Sequence, residues 1–225
     1  MIPPFLSPGL AFVFDMDGVI VDSNPVHRVA WERFNRRYGL ETTEEMHRFM
    51  YGRHNVDIVR GYFGDGLPLE EILARGAAKE ELYREIVAEK IEEMLVPGIR
   101  KFLSSYPRVP KGVASNAEPA NVRFILDRSG LGSSFQAVVN GSDVRRPKPD
   151  PEVFLRVAEL LAVRPENCIV FEDSLAGVQA GVAARMRVVG IRTTYVDLPG
   201  TSINVDNFLS GSLRRWLADQ SEFGD

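Results

Sequence analysis

Phe12-Val13-Phe14-Asp15-Met16-Asp17-Gly18-Val19-Ile20-Val21-Asp22-Ser23 is the stretch on which the reading of this chain turns. The apolar run from Leu10 to Phe14 shows no polar alternation, so it predicts a strand buried on both faces, as in a parallel sheet. It stops at two aspartates one residue apart, followed by a glycine. Open α/β sheets keep their ligand crevices at the carboxyl ends of such strands. Two carboxylates this close repel each other until a cation or a proton relieves them. A hard divalent cation such as Mg²⁺ suits the pair, since it binds oxygens and takes one or two protein carboxylates. Gly18 lets the chain turn where a side chain would clash. An acidic turn after a strand would read the same in isolation, so the weight falls on the surroundings.

Upstream, Met1-Ile2-Pro3-Pro4-Phe5-Leu6-Ser7-Pro8 has neither a basic start nor a continuous apolar stretch, and no signal peptide is read there. No segment approaches the roughly 18 apolar residues of a membrane span, so a cytoplasmic protein with no membrane partner is expected. The 225 residues suit one large domain or a core with a smaller insert. With 44% hydrophobic and 26% charged residues the composition is that of an ordinary globular protein. A net charge of −4 leaves no basic footprint for nucleic acid. The one cysteine, Cys168, excludes an internal disulfide and a cysteine zinc cluster, and its apolar neighbours make it a buried structural thiol. A monomer is the default expectation.

Downstream of the aspartates, Ser23-Asn24-Pro25 starts a helix in which Val26, Ala30, Phe34 and Tyr38 recur at helical spacing, and Gly39 closes it. His27 and Trp31 share one face of it, and His27 is a candidate binding residue. Residues 44–50, 56–63 and 69–93 then read as successive helices with no strand between them, which predicts an insert outside the sheet. The mixed charges of residues 80–90 are those of a solvated helix. Tyr51-Gly52-Arg53-His54-Asn55 forms a polar loop, and Arg53 is its candidate binding residue. From Pro97 the chain alternates helix and strand, with strands at 111–115, 137–140, 168–172 and 187–191. The expected fold is therefore α/β, a doubly wound parallel sheet with a small helical insert after the first strand. A helix near 207–217 and a polar tail end the chain.

The later strands also end in polar groups: Ser115-Asn116, Asn140-Gly141 and Glu172-Asp173. A parallel sheet points all carboxyl ends to one edge, so these groups converge with Asp15 and Asp17. The acids Asp15, Asp17, Glu172 and Asp173 would hold Mg²⁺, and Ser115, Asn116 and Lys148 would hold an anion beside it. Free N–H groups at the start of the helix after Asn116 would add to the anion site. Lys148 stands between Pro147 and Pro149, which stiffen its loop and suit a fixed ammonium for a phosphate.

Four motifs in this order resemble those of the haloacid dehalogenase superfamily, in the subgroup of β-phosphoglucomutases and small sugar phosphatases. They are Asp15-Met16-Asp17-Gly18-Val19, Ser115-Asn116, Pro147-Lys148-Pro149 and Glu172-Asp173-Ser174. The resemblance implies a Rossmann-like core of residues 1–22 and 94–225 and a helical cap of residues 23–93. It implies that Asp15 is a nucleophile forming an aspartyl-phosphate and that Asp17 is the general acid and base. Ser115 and Lys148 would bind the phosphoryl oxygens, with Lys148 also pairing with Asp15. Asp15, Asp17 through its backbone carbonyl, Asp173 and Glu172 would position Mg²⁺. In the mutases a lysine precedes the cap-loop glycine and an arginine follows three residues after it. Tyr51 and Asn55 stand at those places here, although Arg53 is nearby. The expectation is a phosphatase of a small phosphorylated metabolite, a sugar or polyol phosphate. A phosphosugar mutase is the alternative, and a silent phosphate-binding module a weaker one.

Overall fold

A computed structural model describes residues 9–50 and 53–220. Its centre is a six-stranded, all-parallel sheet in the order β3-β2-β1-β4-β5-β6. The strands are β1 Ala11–Phe14, β2 Lys111–Ala114, β3 Ala137–Val139, β4 Cys168–Glu172, β5 Arg187–Ile191 and β6 Ile203–Val205. β1 lies between β2 and β4, with Phe12 opposite Lys111 on one side and Ile169 on the other. The chain steps outward from β1 through β2 to β3, then returns to β4 and steps outward the other way. The switch falls between β1 and β4, where open α/β sheets form their crevice. β6 was not legible in the sequence; its three residues carry too short an apolar signal.

β1 and β4 are buried throughout because helices cover both faces of the sheet. Strand alternation sends Phe12, Phe14 and Phe171 to one face, where they meet Phe102, Tyr106 and Phe208. Phe14 and Phe171 stack at 4.8 Å between ring centroids. The other face packs Val13, Cys168 and Val170 against Val153, Phe154, Val157 and Val178. Those partners come from two helices, Glu152–Leu160 and Leu175–Ala183. Cys168 is fully buried, and burial pushes its thiol up to about 11, which makes it the inert thiol expected.

The chain divides into two compact units. One comprises the described residues up to Asp22 and from Glu92 onward, and the other those between Ser23 and Ile91. The second is all helical: Asn24–Arg37, Glu44–Met50, Asn55–Phe63 and most of Leu69–Met94. Its core is Trp31, Phe34, Met50, Ile58, Val59, Ile72 and Leu82. The loop residues Tyr51 and Gly52, the first eight residues and the polar tail from 221 lie outside the described residues.

Candidate active site

β1 ends at Phe14, and Asp15 emerges buried at the carboxyl edge of the sheet. Its backbone N–H donates 3.0 Å to the Phe171 carbonyl, so pairing with β4 continues through the aspartate. The chain then turns. Val19, Ile20 and Val21 donate to the Met16 carbonyl, and Gly18 N–H donates 2.6 Å to Val21 O. Gly18 has φ +77, and a Cβ there would sit 1.9 Å from Asp173 Oδ2. Glycine is required on both counts, for the left-handed backbone and for the close approach of a carboxylate.

Lys148 reaches the same point, 133 residues away in sequence, because the loop before the helix Glu152–Leu160 folds back over the edge. Its ammonium donates 2.5 Å to Asp15 Oδ1, 2.7 Å to Glu172 Oε1 and 2.9 Å to the Ala114 carbonyl. Asn116 Oδ1 accepts the Lys148 backbone N–H at 3.1 Å and so anchors the loop. The lysine was expected to bind an anion and to pair with Asp15; here the pairing with Asp15 is present, and its other two protons go to Glu172 and Ala114. Burial opposes charge on Lys148, but Asp15 and Glu172 outweigh it and hold the ammonium protonated well above its usual range.

Glu172 is similarly committed. Its Oε2 accepts from the backbone N–H groups of Asp173 and Ser174 and from the Ser174 hydroxyl, while Oε1 accepts from Lys148. Asp15, Glu172 and Asp173 each offer an oxygen within 4.8 Å of the others. Burial pushes Asp15 up to about 8; Lys148 opposes this, while Glu172 and Asp17 add to it. Burial and the charges of Glu172 and Asp15 likewise hold Asp173 well above the carboxylate range. If all three buried carboxylates are ionised, the one ammonium leaves two negative charges unbalanced, and burial favours the protonated forms of Asp15 and Asp173. That deficit is the charge of one divalent cation, and an all-oxygen donor set suits a hard one.

Ser115 is buried beside these groups, at the end of β2, and its Oγ accepts the Ala117 N–H at 3.0 Å. Asp17 is half-buried on the Gly18 turn. The next helix begins only at Pro119, which has no N–H, and Asn121 and Val122 donate back to Glu118 O. The helix start after Asn116 is thus a weaker anion site than its place in the sequence suggests. Asn140 follows the edge strand β3, and its side chain accepts from Ser142 N–H.

The structure brings Asp15, Asp17, Ser115, Asn116, Lys148, Glu172 and Asp173 to one edge of one unit. His27 and Arg53 belong to the helical unit. Arg53 is exposed and lies over the Phe49 ring at 4.3 Å. His27 stacks on Tyr83 at 4.1 Å, and its Nδ1 lies 2.8 Å from Lys79 Nζ. An ammonium only donates, so Nδ1 accepts. Lys79 also donates 2.8 Å to Glu80 Oε1, which accepts 2.7 Å from Asn55 Nδ2. Glu80 was expected on a solvated face and is instead buried. Lys79 went unremarked in the sequence. The available signal was its place, with Ile72, Gly76, Tyr83 and Ile86, on the buried stripe of that helix.

Comparison with known proteins decides the family. A family model described as haloacid dehalogenase-like hydrolase matches residues 10–185. The chain belongs to this family. It is an enzyme of a fold that joins a Rossmann-like parallel core to a helical cap. Among family members, it is 32% identical over 180 residues to fructose-1-phosphate phosphatase YqaB of Escherichia coli, covering 80% of this chain and 95% of that one. It is 31% identical over 214 residues to a β-phosphoglucomutase of Mycobacterium bovis, covering 82% and 81%. The crystal structure of β-phosphoglucomutase from Clostridium difficile superposes with a TM-score of 0.81 at 25% identity, over 96% of this chain and 98% of that one. Family members thus include phosphatases and mutases of phosphosugars. No helix among the described residues is long and apolar enough to cross a membrane.

Proposed function

We propose that this hydrolase is a Mg²⁺-dependent phosphatase of a small sugar or polyol phosphate, acting through an aspartyl-phosphate on Asp15. The observation that carries the reading is the buried Asp15 carboxylate, held 2.5 Å from Lys148 with Glu172 and Asp173 alongside. Lys148 keeps one Asp15 oxygen oriented and lowers the cost of its charge. The other oxygen attacks phosphorus as the ester P–O bond breaks, and Asp17 protonates the leaving alkoxide. Water then attacks the same phosphorus, Asp17 takes its proton, and the bond from Asp15 to phosphorus breaks to release inorganic phosphate. Splitting the reaction this way replaces one difficult step with two easier ones.

Asp15, Asp173 and the Asp17 backbone carbonyl would hold Mg²⁺, with Glu172 beside them in the charge balance. When bound, the ion neutralises charge that would otherwise repel the phosphate dianion. Ser115 and Asn116 bind the phosphoryl oxygens. The helical unit serves as the cap that selects substrate. Two cap features favour a phosphatase over a mutase. Asn55, where the mutases carry an arginine, is bonded to Glu80. Arg53, the nearby cation, lies over Phe49.

Phosphate release from a panel of sugar and polyol phosphates with Mg²⁺ tests the proposal, with Asp15→Asn as the control. The variant should keep its circular dichroism spectrum and lose at least about 10³-fold in turnover, the scale on which a lost nucleophile is felt. Undiminished turnover in that variant would refute the role of Asp15. Conversion of β-glucose 1-phosphate to glucose 6-phosphate, with catalytic β-glucose 1,6-bisphosphate and little phosphate release, would make the enzyme a mutase.

A further inference from the structure

Two adjacent threonines just past β5 turn their hydroxyls toward the carboxylate cluster. Thr193 Oγ1 donates 2.6 Å to the Gly18 carbonyl and lies 3.4 Å from Asp173 Oδ2. Thr194 Oγ1 donates to the same Asp173 Oδ2. β5 does not neighbour β1, since β4 lies between them. The loop therefore reaches past the end of β4 and ties the Gly18 turn and Asp173 together. A hydroxyl has one proton to give. The shorter contact takes that of Thr193 to Gly18, which leaves Thr194 as the donor to Asp173.

We propose that Thr194 is a positioning residue that fixes the Asp173 carboxylate for a divalent cation, while Thr193 holds the Gly18 turn against it. The inference rests on the reading of this edge as a Mg²⁺-dependent phosphoryl-transfer site. The terminal torsion of an aspartate is broad and two-fold, so an unrestrained Asp173 would have to be ordered when the cation binds. A hydroxyl donor on one oxygen sets that torsion beforehand. Threonine suits the task because its branched Cβ leaves few side-chain rotamers. The packing is tight enough to matter: a Cβ at Gly18 would lie 1.9 Å from Asp173 Oδ2 and 2.9 Å from Thr193 Oγ1. Hydrogen-bond partners of ligating carboxylates typically change metal affinity by about 10- to 100-fold.

The test is calorimetric titration of the full chain with MgCl₂ in the absence of substrate, alongside phosphate release as a function of Mg²⁺. Thr194→Val removes the hydroxyl and keeps the shape; Thr194→Ser keeps the hydroxyl. Thr194→Val should bind Mg²⁺ about 10- to 100-fold more weakly, with kcat at saturating Mg²⁺ changed far less than the Mg²⁺ requirement. Thr194→Ser should stay near the native affinity. Native affinity in Thr194→Val would overturn the inference and leave the cation site standing. Absence of Mg²⁺ binding by the unaltered protein would overturn both. Should the valine variant fail to fold, Thr194→Ala against Thr194→Ser decides. Weaker binding by alanine than by serine supports the role, and equal binding overturns it.

Discussion

The Lys148 ammonium has three protons, and Asp15, Glu172 and the Ala114 carbonyl take one each. This sharing makes Lys148 the counter-charge of a buried acidic site, in addition to any contact with substrate. Lys148→Met keeps most of the volume and deletes the charge, which leaves three buried carboxylates facing each other. Removing one partner of a buried ion pair costs about 3–5 kcal/mol. Urea unfolding in metal-free buffer should show a loss of that order, with the proposed phosphatase activity gone. A loss under about 1 kcal/mol would mean that Lys148 is not the counter-charge described. At this scale the sequence was informative about residue type and, apart from the pairing of Lys148 with Asp15 that the resemblance implies, silent about partners. Asp15, Asp17, Ser115, Lys148, Glu172 and Asp173 were legible because each follows an apolar strand or sits between prolines. Thr193 and Thr194 gave no such signal, since a hydroxyl pair after a strand is ordinary loop composition.

Among elements, the long helix Leu69–Met94 departs most from its sequence reading. Lys79 and Glu80 fall on its buried stripe, where an unpaired charge would be costly. They are kept there by each other, by His27 and by Asn55. Burial alone would raise the Glu80 pKa, but the Lys79 charge and the hydrogen bonds from Lys79 and Asn55 outweigh it and hold the carboxyl down to about 2. A carboxyl depressed in the folded state stabilises that state above its unfolded pKa and loses the contribution as pH falls through the folded one. The wild type should therefore shed on the order of 3 kcal/mol between about pH 4.5 and pH 2 from this group. Glu80→Gln should be less stable at neutral pH and show a flatter stability curve through that window. Urea midpoints at stepped pH provide the comparison, and parallel curves would exclude Glu80 as a contributor. Local periodicity could not reveal the burial, because acids and bases spaced along a helix look alike whether water or protein faces them.

For the whole molecule, the proposed cation site at the acidic cluster predicts a fold whose stability rises with divalent cation. An ion that binds only the native state stabilises it by mass action, about 2.7 kcal/mol when its concentration is 100 times Kd. Thermal melts should shift upward with added MgCl₂, return to the starting point with EDTA, and show no shift with an equal concentration of NaCl beyond ionic strength. An unchanged melting temperature up to millimolar Mg²⁺ would remove the cation from the account of this site.

The sequence by itself determined the parallel sheet, the helical insert after its first strand and the strand ends that carry the acids. Strand burial and helical spacing are written locally, and parallel strands bring their carboxyl ends together whatever the details. Only the tertiary structure decided how the groups divide their hydrogen bonds. It added Glu172 to the pairing of Lys148 with Asp15, set Thr194 on Asp173, buried Lys79 against Glu80, and added β6 at the sheet edge. Each of these depends on which distant atoms come within about 3 Å, and no periodicity along the chain encodes that distance.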